Sequence, residues 1–285
     1  MSLPTTKLDI IGFGGASNLP TWLAMDTGLF AAQGLEVTLT RTEGSIPQIT
    51  DMMAGKYQIA TTAIDNIIAY TEGQGPITLD KPFDMIAVMG VHSGLNSIVA
   101  RPEIKTWQDL RGKVVAVDAP NTGYAFIIFR ILERHGLHLD RDYTILPVGG
   151  TEARHEALGS AKADVAVIGQ PADLQMQAAG YNILADAAAE LGAYQGSVYG
   201  VCKSWAEANR QSLCAFLAAV RKAHQIVHDD RSQAITVLKA RLNGLSDDKA
   251  ETLYQSLTNP VSGLSRDGAI PLDSVDSVLS LSLIH

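Results

Sequence analysis

The chain has 285 residues, the length of about two average domains. Its residues are 46% hydrophobic and 18% charged, a composition that excludes intrinsic disorder and is ordinary for a folded protein. It carries 22 lysines and arginines against 30 aspartates and glutamates, so that its net charge is −8. Because there is no basic excess to displace phosphate counterions, this balance argues against nucleic acid or an anionic membrane as a partner.

Predicted strands and helices alternate along the chain with short gaps, which is typical of a parallel sheet covered by helices. The first strands cover residues 7–13, 35–40, 57–61, 84–91 and 97–100. The helices between them cover residues 18–32 and 45–54, and a third ends near Tyr70. The later strands cover residues 113–117, 143–147, 164–168 and 197–202, and the helices residues 122–135, 151–161 and 171–179. From Ser204 to Leu257 the pattern is nearly all helical, and we expect no further strands.

A weak internal repeat accompanies this alternation. The spacing of residues 29–35 recurs over residues 131–137, and that of residues 55–60 recurs over residues 161–166. The repeat predicts two similar lobes, the second beginning near residue 100, with a helical tail that returns to cover the first. Chance is the alternative explanation, because helix–glycine–strand punctuation is common in α/β proteins.

Targeting and cysteine signals are sparse. No run of 18 apolar residues occurs, and Lys7 is followed directly by a strand-like segment, so residues 1–3 are consistent with an expression scar that replaces a leader. Cys202 and Cys214 lack the spacing of a redox or metal motif. A single bridge between them is one interpretation, and two buried small hydrophobic residues is the one that we favour.

Small polar loops follow the predicted strands, where open α/β sheets bind their ligands. Such loops hold polar or anionic groups with the backbone N–H groups of helix N-termini, although any one of them also caps a helix without a ligand. The six loops cover residues 14–18, 61–66, 92–96, 118–124, 149–152 and 169–171.

Catalytic and metal motifs are missing. Neither G-x-S-x-G, Walker A nor H-E-x-x-H occurs, and the glycines at 12, 14 and 15 fail the dinucleotide pattern because position 17 is Ser17. His224 and His228 stand four residues apart without a third ligand nearby, so a solvated or partly packed pair is favoured over a metal site. We expect no cofactor, no metal and no enzymatic activity.

One distinctive segment is Asp109-Leu110-Arg111-Gly112-Lys113 with the strand after it, and four others cover residues 23–37, 52–60, 121–125 and 163–171. These five segments resemble the solute-binding proteins of bacterial ABC importers known as NMT1/THI5-like, the group that binds sulfonate, taurine, nitrate or thiamine precursors. The first segment is the most specific, because it is close to the family's D-L-K-G-K-x-V-A-V.

This resemblance implies the periplasmic binding protein type II fold: two Rossmann-like α/β lobes joined by two crossover strands, near residues 92–101 and 197–203, with a ligand cleft between the lobes. We assign residues 1–96 and 203–285 to the first lobe and 97–202 to the second. The implied site residues are Ser17, Asn18, Trp22, Thr62, Asp65, His92, Asn121, Thr122, Gly123 and Gln170. Tyr199 is a further candidate, with packing at the hinge as its alternative role.

The implied function is an extracytoplasmic or periplasmic receptor, monomeric, that closes on a small solute and delivers it to the permease subunits of an ABC importer. The candidate loops contain no lysine, and Asp65 and Asp118 add negative charge near Arg41 and Arg154. This balance favours a neutral, zwitterionic or aromatic solute over a bare anion. An aromatic ring of the solute would stack on Trp22, Tyr124 or Tyr199.

Three alternatives on the same fold carry less support from the residues. A chorismate-dehydratase-like lyase would use Asp65 or Glu152 as its acid or base. A pyrimidine synthase of the yeast type needs a cysteine-rich iron cluster, which two cysteines cannot supply. A sensor module needs an attached output domain, for which the chain has no segment.

Overall fold

The computed structural model describes residues 5–192 and 194–282, so residues 1–3, interpreted above as an expression scar, lie outside the described residues. Within them the chain folds into two five-stranded mixed sheets with helices packed on both. The two-lobed α/β architecture expected from the sequence is therefore confirmed.

The first sheet has the strand order β2-β1-β3-β10-β4. Its strands are β1 (Thr6–Gly12), β2 (Leu35–Arg41), β3 (Ile59–Ala63), β4 (Met85–Gly90) and β10 (Ser197–Cys202). β1 pairs in parallel with β2 and β3, whereas β10 lies antiparallel between β3 and β4. β3 is buried along its whole length, as expected for a central strand with helices on both faces.

The second sheet has the order β7-β6-β8-β5-β9, which repeats the topology of the first. Its strands are β5 (Asn96–Ala100), β6 (Lys113–Val117), β7 (Tyr143–Pro147), β8 (Val165–Gly169) and β9 (Asn182–Asp186). Here β6 pairs in parallel with β7 and β8, and β5 lies antiparallel between β8 and β9. The weak sequence repeat thus reflects two lobes of one topology.

The chain crosses between the two sheets twice. β5 directly follows β4 but belongs to the second sheet, and β10 belongs to the first. The predicted bounds 97–202 put β10 in the second lobe, whereas its hydrogen bonds to β3 and β4 put it in the first sheet. We therefore propose that the second lobe ends before Ser197.

Helices cover both sheets, and several differ from the sequence pattern. The helix predicted over residues 18–32 is broken at Gly28, whose φ of 74° is left-handed. β9 and the helices α8 and α13 were not predicted. The helices are α1 (Leu19–Asp26), α2 (Leu29–Ala32), α3 (Ser45–Met53), α4 (Ile64–Thr71), α5 (Gly123–Arg134), α6 (Thr151–Gly159), α7 (Ala172–Ala178), α8 (Ala187–Leu191), α9 (Lys203–Ala208), α10 (Arg210–Asp229), α11 (Arg231–Arg241), α12 (Asp247–Leu257) and α13 (Leu272–Ser282).

The C-terminal helices divide between the two lobes. α10 and α11 pack on α1 in the first lobe, as expected for a returning tail, but α13 packs on α5 of the second lobe and on α4.

Cys202 and Cys214 are free thiols. Cys202 is half-buried and Cys214 is exposed, so the expectation of two buried residues is wrong. α10 turns Leu213, Phe216 and Val220 to the core instead of Cys214.

Tyr199 belongs to the core of the first lobe. Its ring is fully buried and lies edge-on to Phe216, and its hydroxyl is 2.8 Å from the Thr21 hydroxyl. We expect Tyr199→Phe to lower the free energy of unfolding by about 1 kcal/mol, because Thr21 loses its buried partner. Tyr194→Phe is the matched control: the Tyr194 hydroxyl is buried without a partner, so its loss leaves stability unchanged or raises it. Denaturant unfolding measures the free energy of unfolding of both variants. Equal losses of stability would contradict the role assigned to the Thr21 hydrogen bond.

Candidate functional site

A cavity of about 190 Å³ lies between the lobes, where strands of both sheets end. The first lobe contributes the loops after β1 and β3 and the start of α3, and the second contributes the loops after β6, β7 and β8. The two crossover segments supply His92, Leu95, Asn96 and Ser197. The polar residues that surround the space are Ser17, Ser45, Asp65, Asn66, His92, Asn96, Asp118, Tyr124, Thr151, Arg154, Gln170 and Ser197.

The two lobes touch on either side of this cavity. The Ala16 amide donates to the Gln170 carbonyl oxygen at 3.1 Å, and the Gly123 amide donates to Asp65 Oδ2 at 2.7 Å. At the surface, Arg41 Nη2 lies 2.8 Å from Glu152 Oε1. Because each of these contacts joins one lobe to the other, the cleft is closed in this structure.

Arg154 brings a buried positive charge to the second-lobe wall. Its side chain is 3% exposed. The guanidinium donates to the Val167 carbonyl at 2.9 Å, to the Gly149 carbonyl at 3.1 Å and to Thr151 Oγ1 at 3.2 Å. The nearest carboxylate oxygen, Asp118 Oδ1, is 3.9 Å from Nη1, so the charge is only partly neutralised by the protein. A buried cation in this condition favours an anionic group beside it.

Asp65 brings a buried carboxylate to the opposite wall. It lies in the first turn of α4 and is 8% exposed. Burial raises its pKa from 3.8 to about 6, since the charged form loses its water, while the hydrogen bond from the Gly123 amide acts in the other direction. Its Oδ1 is buried with no hydrogen-bond partner. A donor or a cation from a ligand would satisfy that oxygen.

Two further buried polar atoms of the wall lack partners. They are Asn96 Nδ2 and Gln170 Oε1, whereas Gln170 Nε2 donates to Ser256 Oγ across the lobes. Buried polar groups are nearly always paired, so an unpaired set around one space indicates a polar occupant. Together with Asp65 Oδ1, the walls offer a solute both donors and acceptors.

His92 lies at the first crossing and is 4% exposed. Burial lowers its pKa to about 4, with a smaller contribution from His224. Its Nδ1 accepts from the amides of Gly94 and Leu95 at 3.2 and 3.4 Å. The ring is therefore neutral at physiological pH and shapes the turn between the lobes while lining the cavity.

The structure brings together only part of the residue set expected from the sequence. Four of its members line the cavity: Ser17, Asp65, His92 and Gln170. Four others stand behind them: Asn18 donates to the Phe13 carbonyl, Thr62 accepts from Asn66, Thr122 donates to Asp118, and Gly123 donates to Asp65.

Three expected residues lie elsewhere. Asn121 lines a second cavity on the other side of Asp65. Trp22 packs on the core of the first lobe, as does Tyr199. α1 and β10 turn these two rings inward because the helices α10 and α11 cover this part of the first lobe.

Several residues of the wall were not in the expected set. They include Asn66, Asn96, Tyr124, Thr151 and Arg154. Four of them lie within the six candidate loops, so their positions were indicated, but of their side chains only Tyr124 was named, as a ring for stacking on the solute. Arg154 lies one turn into α6, and only the fold directs it inward.

Gly123 lacks a side chain at a point where the lobes meet. A Cβ there would stand 2.2 Å from the Asp65 Cγ, far inside normal contact. We expect Gly123→Ala to hold the lobes apart and to weaken solute binding by roughly tenfold or more, because closure brings the two walls together. Small-angle scattering would show a larger radius of gyration than for the wild type, and Gly159→Ala, where a Cβ meets nothing within 4 Å, is the control. An unchanged radius would contradict this role for Gly123.

Metal binding finds no support within residues 5–192 and 194–282, where no group of three or more His, Cys, Asp or Glu side chains could hold an ion. His224 donates to the Ser265 carbonyl and His228 to the Leu264 carbonyl, so the pair ties α10 to the loop before α13. His224 is fully buried.

No helix in the described part of the chain is long and apolar enough to span a bilayer.

Two lobes of one topology, crossed twice by the chain and closed over a cavity, define the periplasmic binding protein fold. The chain belongs to the NMT1/THI5-like family, whose model matches residues 17–234. No curated protein matches it by sequence.

Solved structures share the fold at low sequence identity. The alkanesulfonate-binding protein SsuA from Xanthomonas axonopodis pv. citri, bound to MOPS, has a TM-score of 0.77 and 18% identity over 98% of this chain and 91% of its own. The nitrate-binding protein NrtA from Synechocystis PCC 6803 has a TM-score of 0.73 and 14% identity over 92% of this chain and 74% of its own. The desulfurization enzyme DSZB has a TM-score of 0.63 and 14% identity over 96% of this chain and 91% of its own.

Proposed function

We propose that the protein is the solute-binding component of an ABC-type importer and that its solute is a small zwitterion. The observation that carries this proposal is the pair of buried charges on facing walls, Arg154 and Asp65. The guanidinium would bind an anionic group of the solute, and the free oxygen of Asp65 would bind an ammonium group. Asn96 and Gln170 would satisfy the remaining polar atoms.

The size of the cavity sets the size of the solute. A cavity of about 150 Å³ holds benzene, so about 190 Å³ accommodates a molecule slightly larger. Small amino acids and amino sulfonates fall in this range. A bare inorganic anion would leave Asp65 unpaired, and the carboxylate would repel it.

Delivery of the solute to the permease would depend on closure of the two lobes. The lobes meet through contacts on both sides of the cavity, and a ligand that binds both walls favours the closed state over an open one. Permease subunits would recognise that closed shape in the periplasm or another extracytoplasmic space. We expect the protein to act as a monomer in this role.

Calorimetry with three matched probes tests the proposal. Taurine carries both charges, ethanesulfonate only the anion, and ethylamine only the cation. We expect taurine to bind at least roughly tenfold more tightly than either, since each ionic contact contributes a kcal/mol or more when buried. Equal binding of ethanesulfonate would instead indicate a receptor for anions, and no binding by any probe would remove the small-zwitterion assignment.

A lyase is the second candidate, and Asp65 is the observation that favours it. A carboxyl with a pKa near 6 inside a closed cavity has the properties of a general acid or base. The other candidate base, Glu152, pairs with Arg41 at the surface instead. Incubation with chorismate, followed by mass spectrometry, distinguishes the two functions, because a binding protein returns the compound unchanged.

A further inference from the structure

A second cavity, of about 550 Å³, lies on the other side of Asp65 from the solute cavity. Its walls come from α4, from the start of α5 and from α13, so both lobes and the C-terminal helix enclose it. The contact between Gly123 and Asp65 forms part of the partition between the two cavities. The same carboxylate therefore borders both spaces.

Two buried polar atoms at this partition have no partner. Tyr194 is 2% exposed, and its hydroxyl makes no hydrogen bond. Asp65 Oδ1 is also buried and makes no hydrogen bond. The pKa of Tyr194 is raised well above its usual value, by burial first and then by the charge of Asp65, so the two groups lie within electrostatic reach of each other. A group between them that donates to both the carboxylate oxygen and the hydroxyl oxygen would give both atoms a partner.

The charge of this cavity is negative. Asp65 borders it at the partition and Glu72 at its exposed side. Among the described residues that line it, none is a lysine, an arginine or a histidine. An anion would find no counter-charge here, whereas a cation would find at least one buried carboxylate.

The remaining surface is largely apolar. α4 contributes Ile68 and Ala69 to the lining, α5 contributes Phe126, and α13 contributes Val278 and Leu281. An aromatic ring in the wall also attracts a cation through its face. A long-chain polar solute would gain little from such walls, and a purely apolar one would leave the two polar atoms unpaired.

We propose that this cavity is a second binding site, specific for a small organic amine with an apolar body. The ammonium group would donate to Asp65 Oδ1 beside the Tyr194 hydroxyl, and the apolar body would pack between Phe126 and α13. Asp65 Oδ1 is also the acceptor that the proposed function assigns to the ammonium group of the solute, so the two occupants would share it and each probe is measured alone.

Benzylamine and benzyl alcohol are the probes, because they share the ring and differ in charge. We expect benzylamine to bind the full-length protein at neutral pH at least about tenfold more tightly than benzyl alcohol, as measured by calorimetry or ligand-observed NMR. Equal affinities would overturn the proposal, because the carboxylate would then play no part.

Substitutions locate the probe. Ala69→Trp fills the second cavity from α4, and we expect it to reduce benzylamine binding by about tenfold or more while taurine binding stays as in the wild type. Ala178→Trp places the same ring in the groove between α7 and α12, and we expect wild-type affinity for benzylamine. Tyr194→Phe removes the unpaired hydroxyl beside the ammonium group and keeps the ring. We expect this variant to bind benzylamine more weakly by a few-fold. Benzylamine binding that survives Ala69→Trp would place the amine elsewhere and overturn the site.

Discussion

Replacing Arg154 with methionine is expected to reduce taurine affinity by roughly a hundredfold and the free energy of unfolding by about 2–4 kcal/mol. The buried guanidinium donates to two carbonyl oxygens and to the Thr151 hydroxyl, and methionine removes all three of these hydrogen bonds. It also removes the positive charge that the proposal assigns to the anionic group of the solute. Calorimetry and denaturant unfolding measure the two effects separately.

Arg41→Met is the matched control at the same cleft. The Arg41 side chain is 57% exposed, and its ion pair with Glu152 spans the lobes at the surface. Because water and salt screen such a pair, it contributes no more than about 1 kcal/mol. We expect this variant to bind taurine within a few-fold of the wild type. Equal losses of taurine affinity in the two variants would contradict the proposal, because they would mean that any positive charge near the cleft acts alike whether or not it is buried.

Asp65→Asn is expected to stabilise the protein at neutral pH and to abolish the pH dependence of solute binding. The pKa of Asp65 is raised from 3.8 to about 6 in the folded state, so the folded protein holds this proton more tightly than the unfolded chain does. Its contribution to stability is complete below about pH 4 and is lost as the pH rises through 6. Ionisation at pH 7 then costs up to about 3 kcal/mol, and asparagine removes that cost.

The wild type and the variant should therefore have similar stability at pH 4 and diverge toward pH 7, as followed by urea unfolding across that range. Wild-type taurine affinity should fall below pH 6, where Asp65 becomes protonated, whereas the variant should bind weakly at every pH. Asp142 gives the opposite control: hydrogen bonds, first from Arg141, lower its pKa to about 2. Asp142→Asn should therefore lower stability at neutral pH, and a stability gain there would contradict the assignment of these pKa shifts.

Much of the fold was predictable because its signals are local. β6 and β8 contain short apolar runs, and glycine and polar residues after each strand indicated the turns. β9 escaped prediction because its five residues, Asn182–Asp186, are half-exposed and show no alternation. α13 follows Pro271 and repeats apolar residues at Leu272, Val275 and Val278, a helical spacing that is present in the sequence itself.

The site was predictable to the level of its loops but not of its side chains. Asn121 and Tyr124 belong to one predicted loop, yet Tyr124 lines the solute cavity and Asn121 lines the second cavity. Neighbouring residues at the start of a helix point in different directions, and the sequence does not show which direction faces the other lobe. Tyr199 was a candidate for stacking on a solute, but covering helices make it a core residue.

The net charge of −8, the alternation of strands and helices, the family resemblance and the six polar loops were all determined by the sequence alone. Each depends on composition or on neighbours along the chain. Only the tertiary structure decided that β10 joins the first sheet, that Arg154 is buried against the cleft, and that Gly123 meets Asp65 across it. These features arise from contacts between residues far apart in the chain, and such contacts set the burial and charge on which binding depends.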